Sequence, residues 1–159
     1  MVKKGLNEIL AKGIVSGNQI VDLSVECYYG SFHDVDSSEM AFKIASSQAL
    51  KKAFEVAKPI LLEPIHELQI NIPAEYMGDV MGDISSKRGK ILGMDSDGQF
   101  QVIKAHVPLA ELYRYSSHLR SLTQGRGVHH RKFDHYEEVP KEVEQKVIDE
   151  YNKSREEGH

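Results

Sequence analysis

The sequence predicts a protein of the α+β class, in which a short incomplete segment precedes a complete mixed domain. Three observations predict this class. Hydrophobic residues recur with both the strand period of two and the helix period of 3.6. Two prolines, Pro59 and Pro64, interrupt the pattern once and mark a boundary between two parts. After the second proline, the predicted strands and helices follow one another in an order that can close a sheet.

The first part, residues 1–63, predicts an incomplete split β-α-β segment. Its pattern gives, in order, a helix, a strand and a helix over residues 3–12, 20–29 and 36–57. Asp36 stands three residues before Glu39, so we expect Asp36 to cap the second helix. Alanines recur every fourth residue in that helix, which predicts close packing on a sheet. The five alanines are at positions 41, 45, 49, 53 and 57.

A single strand leaves two backbone edges without partners. We therefore expect residues 1–63 to be the second half of a domain whose other strands lie upstream. Alternatively, the segment completes its sheet with a partner, and self-association through the strand over residues 20–29 is one route.

The second part, residues 64–139, predicts a ferredoxin-like β-α-β-β-α-β domain. Alternating residues predict strands, and i, i+4 spacing predicts helices with Gly89 ending the first of them. Residues 95–98 predict a turn between the two central strands. The strands are expected over 66–72, 90–94, 100–107 and 128–136, and the helices over 73–87 and 109–123. A C-terminal helix is expected over residues 140–159, with Pro140 at its start.

The composition is that of an ordinary globular protein. The 159 residues are 40% hydrophobic and 28% charged, with a formal net charge of -4. Cys27 is the single cysteine, which excludes an intramolecular disulfide and a zinc cage built from cysteines. The sequence shows neither an apolar run of about 18 residues nor a signal peptide, so a cytoplasmic location is expected.

The charge is unevenly distributed. Residues 137–159 hold eight acidic and four basic residues and thus account for the whole net charge. Residues 112–133 contain no acidic residue but five cations and three histidines. This basic stretch is suited to a polyanion such as RNA, although a solvated helix face explains it equally well.

The loop over residues 31–36 is the richest in polar side chains. His33, Asp34 and Asp36 lack a third anchored ligand, so we expect no metal there and interpret the loop as an exposed recognition tip. An ordinary connecting loop is the alternative. Gly78 and Gly82 lie inside a predicted helix, where each glycine costs about 1 kcal/mol, so a packing or contact reason is expected.

Motifs of catalysis are not seen in the sequence. It contains no nucleophile motif, no paired-carboxylate setting and no phosphate-binding loop. Catalytic residues, metal ligands and cofactors are therefore not expected. An enzyme in its own right remains the rival interpretation from another functional class.

Five stretches of the sequence carry a family resemblance: Gly30–Lys43, Leu61–Ile65, Gly78–Ile84 with Arg88-Gly89, Val107–Glu111 and Leu119–Gly127. Together they resemble the C-terminal part of bacterial translation elongation factor G, over nearly the whole chain. The resemblance implies that residues 1–63 are the second half of the fourth, tRNA-mimicking domain, which explains the unpaired strand. It also implies that residues 64–139 are the fifth domain and residues 140–159 the C-terminal helix.

The resemblance implies a function as well. The intact factor binds the ribosome and promotes GTP-dependent translocation of tRNA and mRNA. The resemblance places the fourth-domain tip, Ser31, Phe32, His33 and Asp34, at the decoding site. The fifth domain contacts rRNA at the stalk base, for which the candidates are Lys87, Arg88, Lys90, Arg120 and Arg126. GTP and magnesium belong to an upstream GTPase domain that this sequence does not include.

Two departures from the family pattern leave alternatives open. The family often has Phe-Gly-Tyr-Ala where this chain has Tyr113-Arg114-Tyr115-Ser116, and aromatic or Met residues where it has His129 and Arg131. A divergent paralogue, a ribosomal protection protein and a stand-alone RNA- or ribosome-binding module are the alternatives.

Overall fold

The computed structural model describes residues 1–157 and divides into two compact units. One comprises Met1–Ile60 with the chain from Pro140 onward, and the other comprises Leu61–Val139. The helices and the one four-stranded antiparallel sheet confirm the α+β class. In chain order the elements are α1 (Val2–Lys12), α2 (Glu39–Val56), β1 (Leu62–Pro73), α3 (Met77–Ser86), β2 (Lys90–Asp97), β3 (Phe100–Pro108), α4 (Tyr115–Leu122), β4 (Val128–Glu138) and α5 (Lys141–Glu157).

In the first unit, α1 packs against α2. Gly5 permits a close approach, because a Cβ atom at this position would lie 2.5 Å from Ser46 Oγ. Lys43 on α2 donates to Glu8 on α1, with 2.6 Å between Lys43 Nζ and Glu8 Oε1.

The predicted C-terminal helix is present as α5, and its last two predicted residues, 158 and 159, lie outside the described residues. None of the described helices combines the length and apolar character needed to cross a membrane.

The predicted strand over residues 20–29 is not formed. These residues have no regular secondary structure, and the side chains meant for its buried face are exposed: Val21 by 55%, Leu23 by 40% and Val25 by 42%. A strand needs a neighbour to pair its backbone N–H and C=O groups, and the described part of the first unit holds no other strand. Self-association through this segment is not tested by a single chain and stays a prediction.

The N-terminus of α2 also differs from the prediction. Ser38, not Asp36, caps the helix, because Ser38 Oγ accepts a hydrogen bond from the Ala41 N–H at 3.1 Å. The predicted alanine column is exposed at positions 45, 49 and 53, while α2 buries Ser46 and Leu50 on its other side. The alanine column has no sheet to pack on, because residues 20–29 form no strand and the described part of the first unit contains no sheet.

The second unit has the ferredoxin-like architecture that the sequence predicts. Its sheet has the strand order β2-β3-β1-β4, with every neighbouring pair antiparallel. Helices α3 and α4 pack with one sheet face to form the core. Residues that share this core are Leu68, Ile70, Ile72, Val80, Ile84, Ile103, Ala105, Val107, Leu112, Tyr115 and Leu119. On the opposite face β1 presents Glu67, Gln69 and Asn71, in keeping with the alternation of a strand.

The C-terminal end of α3 follows a different geometry from the one predicted. Arg88, not Gly89, takes the left-handed conformation, with φ of 57°. Glycine is required at position 89 because a larger residue would not fit: a Cβ atom there would lie 2.7 Å from the carbonyl oxygen of Ile84. Its N–H donates to that same oxygen at 2.9 Å, which ends the helix tightly.

The hairpin of β2 and β3 is longer than predicted. The predicted turn over residues 95–98 is wrong in position, because Asp95, Ser96 and Asp97 pair with β3. The connection consists of Gly98 and Gln99, and Gly98 has φ of 63°. A two-residue hairpin loop requires such a positive φ, which glycine adopts without steric cost.

The single helix predicted over residues 109–123 is broken into two pieces. A 3-10 turn spans Leu109–Leu112, and α4 begins only at Tyr115. Between them Arg114 adopts φ of 53°, which cannot continue a right-handed helix. The break buries both Leu112 and Tyr115 in the core and leaves Tyr113 80% exposed.

Candidate nucleic-acid interface

Two serines anchor the loop before α2. Ser37 Oγ accepts a hydrogen bond from the His33 N–H at 2.8 Å, and the Ser37 N–H donates to the His33 carbonyl at 3.1 Å. Ser38 caps the helix that follows. Phe32 stacks on Phe42 of α2, with 6.4 Å between ring centroids and 10° between ring planes. The backbone around His33 is therefore fixed to the helix by three contacts.

The side chains of the predicted tip point into solvent. Ser31, Phe32, His33 and Asp34 are all exposed, and Val35 beside them is 98% exposed. The His33 ring makes no hydrogen bond to the described residues, and the nearby Asp36 carboxylate makes none with it. A fixed backbone with free side chains is typical of a recognition loop.

Arg88 is held by two carboxylates at the end of α3. Its guanidinium donates to both oxygens of Glu63 at 2.6 and 3.0 Å and to Glu111 at 3.0 Å. The hydrogen bonds to Glu63 dominate in raising the pKa of Arg88 above its ordinary value, with burial opposing them. This geometry ties β1, α3 and the Leu109–Leu112 turn together, so little of the charge of Arg88 is left for phosphate.

Lys87 is also engaged within the unit. Its ammonium lies 2.9 Å from Asp83 Oδ1, which His118 Nε2 also contacts at 2.7 Å. The Tyr115 hydroxyl nearby is buried without a hydrogen-bond partner among the described residues. Burial raises the pKa of Tyr115, and the negative charge of Asp83 raises it further. Asp83 therefore joins α3 to α4 instead of serving as an exposed acid.

Arg126 follows α4 and reaches back toward the start of α3. It donates to Glu75 and to the Tyr76 hydroxyl, and its guanidinium lies 4.9 Å from the centre of the Tyr76 ring. About half of the Arg126 side chain is exposed. An anion can still approach it, but part of its charge is already compensated.

Lys90 and Arg120 are the predicted cations that remain available. Lys90 is 74% exposed, and its ammonium is 4.0 Å from Glu137. Arg120 is exposed and makes no ion pair with any residue in the described range 1–157. Among the five predicted rRNA candidates, these two have the most freedom to bind phosphate.

The structure adds two exposed arginines that the sequence analysis did not select. Arg114 precedes α4 and stacks over Tyr113 at 5.3 Å, and Arg131 lies on β4, next to α4. Both lie within the basic stretch of residues 112–133. The absence of acidic residues from this stretch of the sequence was the signal that could have identified the two arginines. The break in the helix then shows that Arg114 and Tyr113 face solvent together.

Gly78 and Gly82 are exposed on α3 with open space around them. A Cβ atom on either glycine would meet no described atom within 4 Å. Packing inside the described residues therefore does not explain them. Of the two reasons expected from sequence, close approach by an external partner is the one left.

Comparisons with known proteins cover almost the whole chain. Residues 1–58 match the family model described as elongation factor G, domain IV, and residues 60–147 match the one described as elongation factor G C-terminus. A crystal structure of a protein from Thermus thermophilus is similar, with 41% sequence identity and a TM-score of 0.81. The similarity covers 96% of this chain and 23% of that chain, so this sequence spans about a quarter of the solved protein.

Proposed function

The chain belongs to the elongation factor G family, and from this premise we propose that it is a ribosome-binding segment of a translation factor. In the intact factor it promotes GTP-dependent translocation of tRNA and mRNA. Its place of action is the cytoplasm, where translation occurs. The observation that carries the proposal is the family match over both units, together with a loop whose backbone is fixed and whose side chains are free.

The proposed contact at the decoding site is the loop of Ser31, Phe32, His33 and Asp34. The exposed His33 ring can stack on a base or donate to a phosphate. Phe32 is held by its stack on Phe42 and sets the direction of the loop. This loop acts by position and shape, because exposed side chains project from a fixed backbone.

The proposed contact with rRNA is the exposed surface formed by α3, α4 and their connections. Arg120 supplies a cation directly, and Arg114 and Arg131 add to it. Lys90 adds a further cation from the start of β2, where it pairs with His106 on the other face of the sheet. Lys87, Arg88 and Arg126 contribute positive charge from ion-paired positions and hold the loops in place. Binding of this kind is dominated by phosphate contacts and weakens as salt rises.

Co-sedimentation of the chain with ribosomes tests this surface. Arg120→Ala should weaken binding at low salt and lower the slope of log K against log salt by about 1, as expected for one lost phosphate contact. Lys104→Ala is the matched control, because Lys104 is an exposed cation on the opposite sheet face with only a 3.9 Å contact to Asp95. Equal binding by the wild type and by Arg120→Ala contradicts the proposed surface.

Gly82→Ala separates a contact role from a stability effect. Alanine should stabilise α3 by about 1 kcal/mol, because its added Cβ meets open space. If RNA approaches the helix backbone closely, the same variant binds ribosomes more weakly although it is more stable. A variant that is more stable and binds equally well would show that Gly82 has no contact role.

The tip is tested in a factor that carries this segment together with the family's GTPase domain. His33→Ala should slow single-round translocation while GTP hydrolysis and the stability of the segment stay nearly unchanged. A loss of about 1 kcal/mol in stability with normal translocation would instead assign His33 a structural role.

The 159-residue chain alone should give no heat with GTP or GDP in calorimetry.

A further inference from the structure

Three potential metal ligands converge on the sheet face opposite the helices. His106 lies on β3, and Asp134 and His135 lie on β4. One donor atom from each residue lies within 4.8 Å of the donor atoms of the other two. The two imidazole rings meet across the central strand β1, with 5.2 Å between their centroids.

A β-bulge brings Asp134 and His135 to the same side. His135 pairs with Ile65 and Phe133 pairs with His66, so Asp134 has no partner on β1. In a regular strand two adjacent side chains point to opposite faces. Because the bulge removes this alternation, Asp134 Oδ2 reaches both His106 Nε2 at 3.5 Å and His135 Nδ1 at 2.6 Å.

A second carboxylate orients the His135 ring. Glu137 Oε1 lies 2.8 Å from His135 Nε2, on the side of the ring away from Asp134. Both ring nitrogens therefore face a carboxylate, Nε2 toward Glu137 and Nδ1 toward Asp134. An ion bound by Nδ1 displaces the proton shared between Nδ1 and Asp134, which is released to solvent, while Nε2 keeps its proton toward Glu137. A carboxylate behind a histidine is the usual outer partner of a metal-bound imidazole.

We propose that His106, Asp134 and His135 bind a divalent transition-metal ion, for which zinc is the probe. Two imidazoles and one carboxylate suit zinc, whereas calcium and magnesium prefer oxygen ligands alone. Ligands about 2.0–2.1 Å from a tetrahedral zinc ion are roughly 3.4 Å apart. The 3.5 Å between His106 Nε2 and Asp134 Oδ2 fits this separation.

The Asp134–His135 pair needs a small adjustment. His135 Nδ1 and Asp134 Oδ2 lie 2.6 Å apart, as a hydrogen bond, and must separate by roughly 0.8 Å to ligate one ion together. Rotation of the exposed Asp134 side chain supplies this movement. All three ligands are partly exposed, with 22%, 35% and 36% of their side chains accessible in chain order, so an ion can enter and a water can take the fourth position.

The sequence predicts no metal site, because the loop that holds His33, Asp34 and Asp36 lacks a third anchored ligand. His106 and His135 come from different strands, and the bulge that turns Asp134 toward them is not marked by any glycine or proline. The proposed site lies on the sheet face opposite the core formed with α3 and α4. Among the proposed rRNA contacts, Lys90 lies beside it, with its ammonium 4.0 Å from Glu137.

Isothermal calorimetry of the metal-free full chain with Zn²⁺ tests the proposal. The wild type should bind one ion, and Asp134→Asn or His106→Gln should weaken this binding at least about 10-fold. Glu137→Gln should cost about 10–100-fold, as for other outer partners of metal-bound histidines. His130→Gln is the matched control, because it removes an exposed histidine of β4 outside the cluster and should leave binding unchanged.

A spectroscopic measurement distinguishes this site from adventitious binding by histidines. Co²⁺ added to the wild type and to His130→Gln should give visible absorption bands of a low-coordinate site, which Asp134→Asn abolishes. Asp134 lies at an exposed bulge, so Asp134→Asn decides the test if His106→Gln does not fold by circular dichroism. No zinc binding by the wild type, or equal binding by Asp134→Asn, would overturn the proposal.

Discussion

At the scale of single residues, Arg88 shows how a side chain read as a surface cation becomes part of the internal structure. Its left-handed backbone turns the side chain toward Glu63 and Glu111, which come from two other parts of the second unit. Glu63 is almost fully buried, at 9% exposure, and its charge depends on Arg88 for compensation. The pair therefore matters more to stability than an exposed ion pair would.

Glu63→Gln should destabilise the second unit by about 2 kcal/mol, because it removes charge-assisted hydrogen bonds and leaves Arg88 under-compensated. Urea unfolding followed by circular dichroism measures the change. Glu67→Gln on the same strand is the control, since Glu67 pairs at 3.2 Å with Lys132, which is 70% exposed, and should cost less than about 1 kcal/mol. Equal effects of the two variants would contradict the structural role of Arg88.

His129 predicts a pH dependence of stability. Burial lowers its pKa below the ordinary value of 6.5, and the nearby charges of Arg131 and His130 lower it further, while its ring packs on Tyr115. A histidine with a lowered pKa is neutral when folded, so the unfolded state binds more protons below about pH 6.5. Stability contributed by neutral His129 is therefore present above that pH and is lost as the pH falls toward the folded pKa.

His129→Gln should remove this part of the pH dependence. Unfolding free energies of the wild type and the variant, measured between about pH 7.5 and 5, should differ in slope, with the wild type losing more stability on acidification. His130→Gln, at the exposed neighbouring position, should keep most of the wild-type slope. Parallel curves for the wild type and His129→Gln would refute the assignment.

At the scale of elements, the break between the Leu109–Leu112 turn and α4 depends on one backbone conformation. Arg114 adopts φ of 53°, where a Cβ atom is strained by about 1–2 kcal/mol and glycine is not. The family often has glycine at this position, which agrees with the geometry. The arginine is thus a local cost that the burial of Leu112 and Tyr115 on either side offsets.

Arg114→Gly should raise the unfolding free energy by about 0.5–1 kcal/mol, since relief of strain exceeds the added entropy of the unfolded glycine. Thermal unfolding followed by circular dichroism measures the gain. Arg114→Ala is the control, because alanine keeps the Cβ atom and should give no such gain. A gain with alanine equal to that with glycine would assign the effect to the lost arginine charge instead of the backbone.

At the scale of the whole molecule, the two units differ in how much core they hold. The second unit buries a continuous cluster of apolar side chains between its sheet and two helices. Within Met1–Ile60, the buried apolar side chains are Ile9 and Leu50. Burial of apolar surface is the main favourable term in folding, so the second unit should be stable without the first.

Residues 61–139 should unfold cooperatively in urea when expressed alone, and residues 1–60 alone should not. Near-ultraviolet circular dichroism and a urea titration of each piece measure this difference. The full chain serves as the reference for the transition of the second unit. A cooperative transition in residues 1–60 would show that this segment folds without any strand to pair with residues 20–29.

The sequence predicted most of the second unit because its strands alternate between apolar residues that face the core and polar residues that face solvent. Leu68, Ile70 and Ile72 are fully buried as their spacing predicts. The same reasoning failed for residues 20–29, whose alternation is real but which find no strand to pair with among the described residues. It also failed at Arg114, whose strained conformation is held by the burial of Leu112 and Tyr115. At Asp36 it failed because Ser38, two residues later, offers an equivalent capping oxygen.

The amino-acid pattern is enough to predict the α+β class, the order of the elements in the second unit, the basic stretch over residues 112–133 and the family. The pattern does not reveal which cations are free, because Arg88 and Arg126 are compensated by carboxylates remote in sequence, which the fold brings to them. The tertiary structure also decides that His106, Asp134 and His135 meet. The physical reason is that periodicity records which face a residue occupies, whereas ion pairs, bulges and ligand clusters depend on which strands and helices become neighbours.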